Sequence, residues 1–181
     1  AHLKLEEMQE LRARPGAIDF LRAAFLEESG EALLRKWDGT DRLFTPSGFR
    51  DYVDDLISRM FNPFLGDLVE RVARDPERKL GWEDRLVGTL RLSLARGIRP
   101  WRFALGTAAA LARLVPEALQ ADGSAVARLE ELWESASPAP DEKERVLRWT
   151  RRGLEELRAR LARAEHFFAL SPLTIQGTPE V

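Results

Sequence analysis

The sequence predicts an all-α fold: one multi-helical domain followed by an irregular or extended C-terminal tail. Three observations predict it. Apolar residues recur at three- and four-residue spacing through most of the 181 residues, the period of a helix with one buried face. No stretch of useful length alternates apolar and polar residues as a half-buried strand does. The breaks between periodic segments carry helix-boundary residues: Pro15-Gly16, Thr45-Pro46, Asp75-Pro76 and Gly97.

In chain order, Leu5, Met8 and Leu11 mark a short amphipathic helix, with Glu6 and Glu7 near its start, where acids suit the dipole. A longer helix is expected from about Ala17 to Trp37, burying Ile18, Leu21, Phe25, Ala32 and Leu33. Gly30 lies inside it, where glycine costs about 1 kcal/mol relative to alanine, so close packing or a local bend is expected. Asp38–Asp41 reads as a turn. Thr45-Pro46 reads as an N-cap with proline at the first helical position. The helix it opens reaches about Phe61 through Phe49, Val53, Leu56, Ile57 and Met60.

Leu65, Leu68, Val69 and Val72 predict about three turns of helix. That helix should stop near Arg74, because Asp75 precedes Pro76 and is steered out of the α region. Trp82 to Arg96 repeats the helical pattern through Leu86, Leu90 and Leu94, with Gly97 placed for a left-handed C-cap. Pro100 opens a helix from Trp101 to about Val115, and its Ala108, Ala109 and Ala110 admit a close neighbour. Shorter helices are expected at Pro116–Gln120 and Ser124–Ser135. Asp141 is expected to cap the last long helix, which runs to about Glu165. Trp82, Trp101, Trp133 and Trp149 fall on these helices as core or interhelix anchors. Residues 1–166 thus read as one helical domain, and residues 167–181 as a tail that is either a docked arm or a disordered end.

Composition narrows the function classes. Hydrophobic residues at 44% and charged residues at 32% are globular proportions. A net charge of −2 gives no basic excess for nucleic acid or an anionic membrane. No apolar run approaches the ~20 residues of a bilayer span, and no secretory signal opens the sequence. Cysteine is absent, which excludes disulfides and thiolate metal sites and suits the cytoplasm. With only His2 and His166, no His/Cys metal set can form; His166, at the end of the last helix, suits its dipole. The closest glycines, Gly81 and Gly88, are too far apart for G-x-G-x-x-G or a P-loop, so no nucleotide-binding half is recognisable. Arginine-rich charge and a single asparagine, Asn62, are expected of a thermophile, although high-GC coding gives the same bias.

The chemistry concentrates between Phe61 and Val87, where Arg71, Arg74, Arg78 and Lys79 gather around Pro76. Arg71 and Arg74 share a helix face, and a turn at Pro76 can fold Arg78 and Lys79 back towards them. Two roles fit. Cations at a helix end complement its unpaired carbonyls. Alternatively, guanidinium groups make bidentate bonds to phosphate or carboxylate while lysine adds a point charge. Spacing leaves both open. Asn62 before Pro63 reads as a turn initiator, bonding to the backbone two residues on.

The order of these residues, N-P-x-x-x-D, then R-x-x-R-D-P-x-R-K-L, then D-R-L-V-G, resembles the C-terminal domain of the mannitol dehydrogenase family of polyol-specific long-chain dehydrogenases. The likeness extends to A-F-L-E-E-S-G at Ala24–Gly30 and G-I-R-P-W-R-F-A-L-G-T-A-A-A-L at Gly97–Leu111, about half the chain. It is strongest for the branch acting on mannitol 1-phosphate. The resemblance implies a helical substrate-binding domain that completes a polyol pocket beside a Rossmann domain binding NAD. It places the family's pocket arginine on Arg71, its pocket lysine on Lys79 and a third polar contact on Arg74. The pair Arg78-Lys79 would suit a sugar or polyol phosphate.

The same resemblance implies a general-base lysine in a K-x-x-x-x-N-x-x-H pattern, of which His2 is at most the last residue. No catalytic residue and no cofactor site is therefore assigned to this chain. NAD belongs to the complete enzyme, bound by an N-terminal Rossmann domain or a cofactor subunit. Helix faces that would cover that partner are expected to drive homo-oligomerisation when bare. Trp82 replaces a small polar helix cap of the family, so the loop there should differ in shape. The alternative function is a stand-alone, non-catalytic ligand-sensing or interaction module derived from the family. Within the enzyme class, a hexuronate reductase or an unphosphorylated mannitol dehydrogenase also fits.

Overall fold

The computed structural model describes residues 6–37, 41, 44–65, 68–120, 124–163, 168 and 170. Among them every regular element is helical, beside one antiparallel bridge between Glu7 and Leu68. The all-α expectation holds.

Helix α1 (Met8–Arg12) leads into a continuous rod made of α2 (Ala17–Ala23), a π-helical segment (Ala24–Gly30) and α3 (Glu31–Trp37). Gly30 ends the wide segment for the reason its position suggested. A Cβ there would lie 2.5 Å from Phe49 Cε1 and 2.6 Å from the Phe25 carbonyl oxygen. Helix α4 (Pro46–Met60) starts as expected, Thr45 Oγ1 accepting from Gly48 N at 3.1 Å, a cap worth about 1 kcal/mol. Its Phe49, Val53 and Ile57 join Met8 and Phe61 in a small core, flanked by Ile18, Leu21, Phe25 and Val69.

The three-turn helix expected through Leu65 to Val72 is not formed. Instead a 3-10 turn (Pro63–Leu65) is followed by a single turn, α5 (Val69–Val72). Val69 N donates to Glu6 O at 2.9 Å and Leu68 bridges Glu7, so the N-terminal segment takes backbone groups that a longer helix would need. Leu68 and Val72 stay exposed. Asp75 then adopts a left-handed conformation (φ 54°, ψ 58°), and α6 (Pro76–Lys79) begins with proline at its first position.

The second half holds the main core. Helix α7 (Arg85–Leu94) starts later than the periodicity from Trp82 suggested, because Asp84 caps it, its carboxylate accepting from Arg85 N at 2.6 Å. Trp82 lies in the turn before. Gly97 closes α7 at φ 70°, with Ile98 N donating to Ser93 O at 3.0 Å. Then come α8 (Trp101–Leu114), a 3-10 turn (Pro116–Leu119), α9 (Ser124–Trp133) and α10 (Pro140–Ala162). Asp141 does not cap α10. Ala139 is the N-cap and Pro140 the first residue, which puts Asp141 inside the first turn, where its charge still complements the dipole.

Helices α8 and α10 pack most tightly where Gly153 faces Ala104, a turn before the alanine run expected to serve: a Cβ on Gly153 would overlap the Ala104 carbonyl. Leu90, Leu105, Leu111, Leu129 and Val146 fill the space around them. Each such side chain contributes about 1.5–3 kcal/mol by leaving water.

A buried acid joins the two halves. Glu28, only 1% exposed on the π-helical segment, accepts from Arg102 N (2.9 Å), Phe103 N (3.0 Å) and Arg102 Nη1 (3.3 Å). It thereby satisfies the unpaired donors at the start of α8. Nearby, Arg160 bonds Glu156 at 2.5 Å and stands 5.6 Å from the Phe20 ring and 5.2 Å from that of Trp101. Of the tail, Phe168 packs on Phe20 with ring centroids 6.0 Å apart, and Leu170 O accepts from Arg102 Nη2 at 3.2 Å. The remainder of the tail, the turn at residues 38–40, His2 and His166 lie outside the described residues. Among those described, no helix is long and apolar enough to cross a membrane.

Two measurements check this account. Gly153→Ala should lower stability by about 1–3 kcal/mol in urea unfolding, because backbone faces backbone and no flexible group can yield; an unchanged midpoint contradicts the contact. Burial, against the opposing pull of the Phe103 and Arg102 hydrogen bonds, lifts the Glu28 carboxyl from 4.5 to about 7. The folded protein then keeps a proton that the unfolded chain has lost, so stability should fall as pH rises from 4.5 to about 7 and level off above. Glu28→Gln should flatten that slope; an identical slope in the variant refutes the assignment.

Candidate anion-binding site

The segment joining α6 to α7 is pinned by the core. Leu80 is fully buried and its carbonyl accepts from Trp133 Nε1 at 2.8 Å. Trp82 is buried with its ring edge-on to Trp133, centroids 4.9 Å apart. The Arg91 guanidinium lies 4.3 Å above Trp82, donates to its carbonyl at 3.0 Å, and pairs with Glu83 (2.7 Å) and Glu142 (2.9 Å). Arg91 is therefore a structural cation. Arg78 and Lys79 precede this fixed corner in sequence and Arg85 follows it.

Lys79 is the best-placed of the four predicted residues. Its side chain runs back across the Asp75-Pro76 turn, and Nζ donates to Val72 O and Arg74 O, both at 2.5 Å. The left-handed Asp75 brings α6 close enough for this return. Of the two roles left open by spacing, the contacts of Lys79 are those of the first, a cation on carbonyls at a helix end. Lys79 closes the carbonyl end of α5, and an ammonium has three donors, so one N–H remains beyond the two carbonyls. Burial lowers the Lys79 pKa, as do the charges of Arg85, Arg78 and Arg113, with Asp75 opposing.

The other predicted residues are placed less evenly. Arg78 is exposed on the last turn of α6, within the field felt by Lys79. Arg71 is exposed on the last turn of α5, and Arg74 just past it. Arg74 shares its backbone carbonyl with Lys79. The guanidinium charges acting most strongly on Lys79 are those of Arg85, Arg78 and Arg113, not of Arg71 or Arg74. Asn62 acts as the turn reading expects, Oδ1 accepting from Phe64 N at 3.0 Å.

Arg113 is the residue that sequence reasoning missed. It lies 34 positions from Lys79 on the last turn of α8, and its charge is felt at Lys79 because α6 packs against α8. A cation on the last turn of a helix gives no signal of that. Two concavities lie nearby. A small one between α1 and the end of α4 is lined by Met8, Met60, Phe61, Asn62 and Pro63. An open groove along α7 is lined by Glu83, Asp84, Arg85, Gly88, Thr89 and Leu92. Neither is lined by Arg71, Arg74, Arg78 or Lys79; the groove meets the cationic cluster at Arg85.

A dinucleotide does not fit the residues present. Its pyrophosphate is held by a glycine-rich turn between a strand and a helix, and the described elements are helical, with no clustered glycines in the sequence. Guanidinium and ammonium groups beside a fixed corner are the chemistry that anion binding requires.

Comparison with known proteins agrees with this architecture. The mannitol dehydrogenase C-terminal domain family matches residues 17–163. Curated relatives include mannitol-1-phosphate 5-dehydrogenases. That of Bacillus licheniformis is 45% identical over 89 residues, 49% of this chain and 22% of the relative. That of Exiguobacterium sibiricum is 41% identical over 106 residues, 59% of this chain and 25% of the relative. That of Brevibacillus brevis is 34% identical over 137 residues, 72% of this chain and 34% of the relative. The chain thus spans between a fifth and about a third of the length of these relatives. No solved structure matches. Since the matched span runs through all the helices from α2 to α10 and carries the cationic corner, the chain belongs to the mannitol dehydrogenase C-terminal domain family.

Proposed function

We propose that this chain is the substrate-side domain of a cytoplasmic, NAD-dependent polyol-phosphate dehydrogenase that interconverts mannitol 1-phosphate and fructose 6-phosphate. The observation that carries the reading is Lys79 folded back across the Asp75-Pro76 turn, with one donor left over and guanidinium groups around it. The curated relatives are named for the same substrate class. Arg71, Arg74, Arg78 and Lys79 hold the phosphate or the distal hydroxyls, and so present the far end of the polyol to a reaction centre completed elsewhere. NAD and the general base belong to a preceding Rossmann domain or separate cofactor subunit, since this chain has no fit for a dinucleotide.

Each charge-assisted bond to substrate is worth about 1.5–3 kcal/mol. Arg74→Ala in the complete enzyme is therefore expected to raise KM for mannitol 1-phosphate by roughly 10- to 100-fold. Lys79→Ala should do the same, with an added loss of stability from the two freed carbonyls. Wild-type kinetics in both variants would sink the assignment. Turnover on mannitol equal to that on mannitol 1-phosphate would instead favour an unphosphorylated substrate.

A seat for the partner domain is part of this proposal. Phe64 is 95% exposed, Leu68 51% and Val72 43%, all within one short stretch. Glu6 and Glu7 pair with Val69 and Leu68, so a domain preceding Glu6 would enter beside this apolar edge. With the edge bare, the 181-residue chain should self-associate at high concentration, and Phe64→Ser should abolish it. Sedimentation as a monomer throughout would argue against this seat.

A further inference from the structure

We infer that the Asp75 carboxylate is a further substrate contact, the acceptor for a hydroxyl of the polyol chain beside the one that Lys79 holds. This rests on the reading of the chain as a polyol-phosphate domain, and it adds the acceptor that a site of arginines and a lysine lacks.

The first argument is what a polyol needs. Each hydroxyl offers one O–H donor and two lone pairs. The side chains of Arg71, Arg74, Arg78 and Lys79 are donors only, so they can hold phosphoryl and hydroxyl oxygens but no hydroxyl hydrogen. A hydroxyl drawn out of water with its hydrogen unpaired costs affinity. The carbonyls at the end of α5 are already occupied: those of Val72 and Arg74 accept from Lys79 Nζ at 2.5 Å.

The second argument is the form of the Asp75 turn. Asp75 holds φ 54° and ψ 58°, a left-handed conformation that a Cβ disfavours and glycine adopts freely. Gly16 and Gly97 take positive φ without that cost; among the described residues only Asp75 and Ser137 do so with a side chain. Aspartate at the N-cap of a helix ordinarily accepts from the first turn, yet the Asp75 side chain makes no such bond to α6. Neither the bend nor a cap therefore accounts for a carboxylate here, and strained residues gather where a site uses them. Its place beside Lys79 is fixed twice. Lys79 N donates to Asp75 O at 3.3 Å, and the Arg74 carbonyl on which Lys79 Nζ rests belongs to the peptide group leading into Asp75. Burial and Arg85 lower the Lys79 pKa, and Asp75 opposes them, as a carboxylate near an ammonium does. Asp75 is exposed and Lys79 keeps a third N–H, so an acceptor and a donor stand at one turn with capacity to spare. Such a pair suits neighbouring hydroxyls of a polyol and gives a bare phosphate no added hold.

The test compares Asp75→Gly with Asp75→Asn. Glycine is at ease at φ 54°, so it removes the carboxylate and leaves the bend, and the 181-residue chain should keep its urea midpoint. In the complete enzyme, Asp75→Gly should raise KM for mannitol 1-phosphate by about tenfold with little change in kcat. Inhibition by inorganic phosphate, which has no polyol chain, should not weaken. Asparagine tolerates the left-handed turn and keeps one acceptor oxygen, so Asp75→Asn should recover part of the loss. Wild-type KM in Asp75→Gly overturns the contact. So does a parallel weakening of inorganic phosphate, or a lowered urea midpoint beside the raised KM, since either assigns Asp75 to the shape of the turn alone. If Lys79→Ala raises KM and Asp75→Gly does not, the contact fails and the proposed function stands. If Lys79→Ala and Arg74→Ala also keep wild-type kinetics, the proposed function fails with it.

Discussion

The indole N–H of Trp133 on the carbonyl of Leu80 is the contact on which the site depends. It ties the segment between α6 and α7 to the end of α9, and Trp82 and Arg91 complete the grip. Because this corner is part of the core, its position is decided by apolar burial and not by the polar side chains around it. The cations on either side are consequently placed by packing. Polar groups on rigid elements hold their geometry more closely than those on loops, and here short segments gain rigidity by being bolted to a core.

Lys79 shows how one residue serves fold and site together. The turn at Asp75-Pro76 leaves carbonyls unpaired at the end of α5 and just past it, and the ammonium returns to those of Val72 and Arg74. That economy has a cost. The residue is drawn partly out of water and among guanidinium groups, which is why its proton is held less firmly than usual.

Elsewhere the fold rests on close approaches and one buried acid. Gly153 against Ala104, and Gly30 against Phe49, bring helices together at distances no side chain would permit. Glu28 bridges the two hydrophobic clusters by capping α8 from the π-helical segment. It stands on the same π-helical segment that Gly30 ends.

Much of this was legible in the residues themselves. Helical periodicity, the Thr45-Pro46 start, the Gly97 stop and the Asn62 turn follow from forces acting over a few positions, and so does the gathering of cations around Pro76. What stayed hidden came from contacts between distant segments. The helix through Leu65 to Val72 was shortened because Glu6 and Glu7 took its backbone partners. Glu27 and Glu28 look alike in sequence, and only packing buries the second. Arg113 joins Lys79 because α6 lies against α8. Local sequence determined that the chain is helical and where its charge is concentrated. Tertiary structure alone decided which of those charges stand together, because the field at a lysine depends on distance through space and not on distance along the chain.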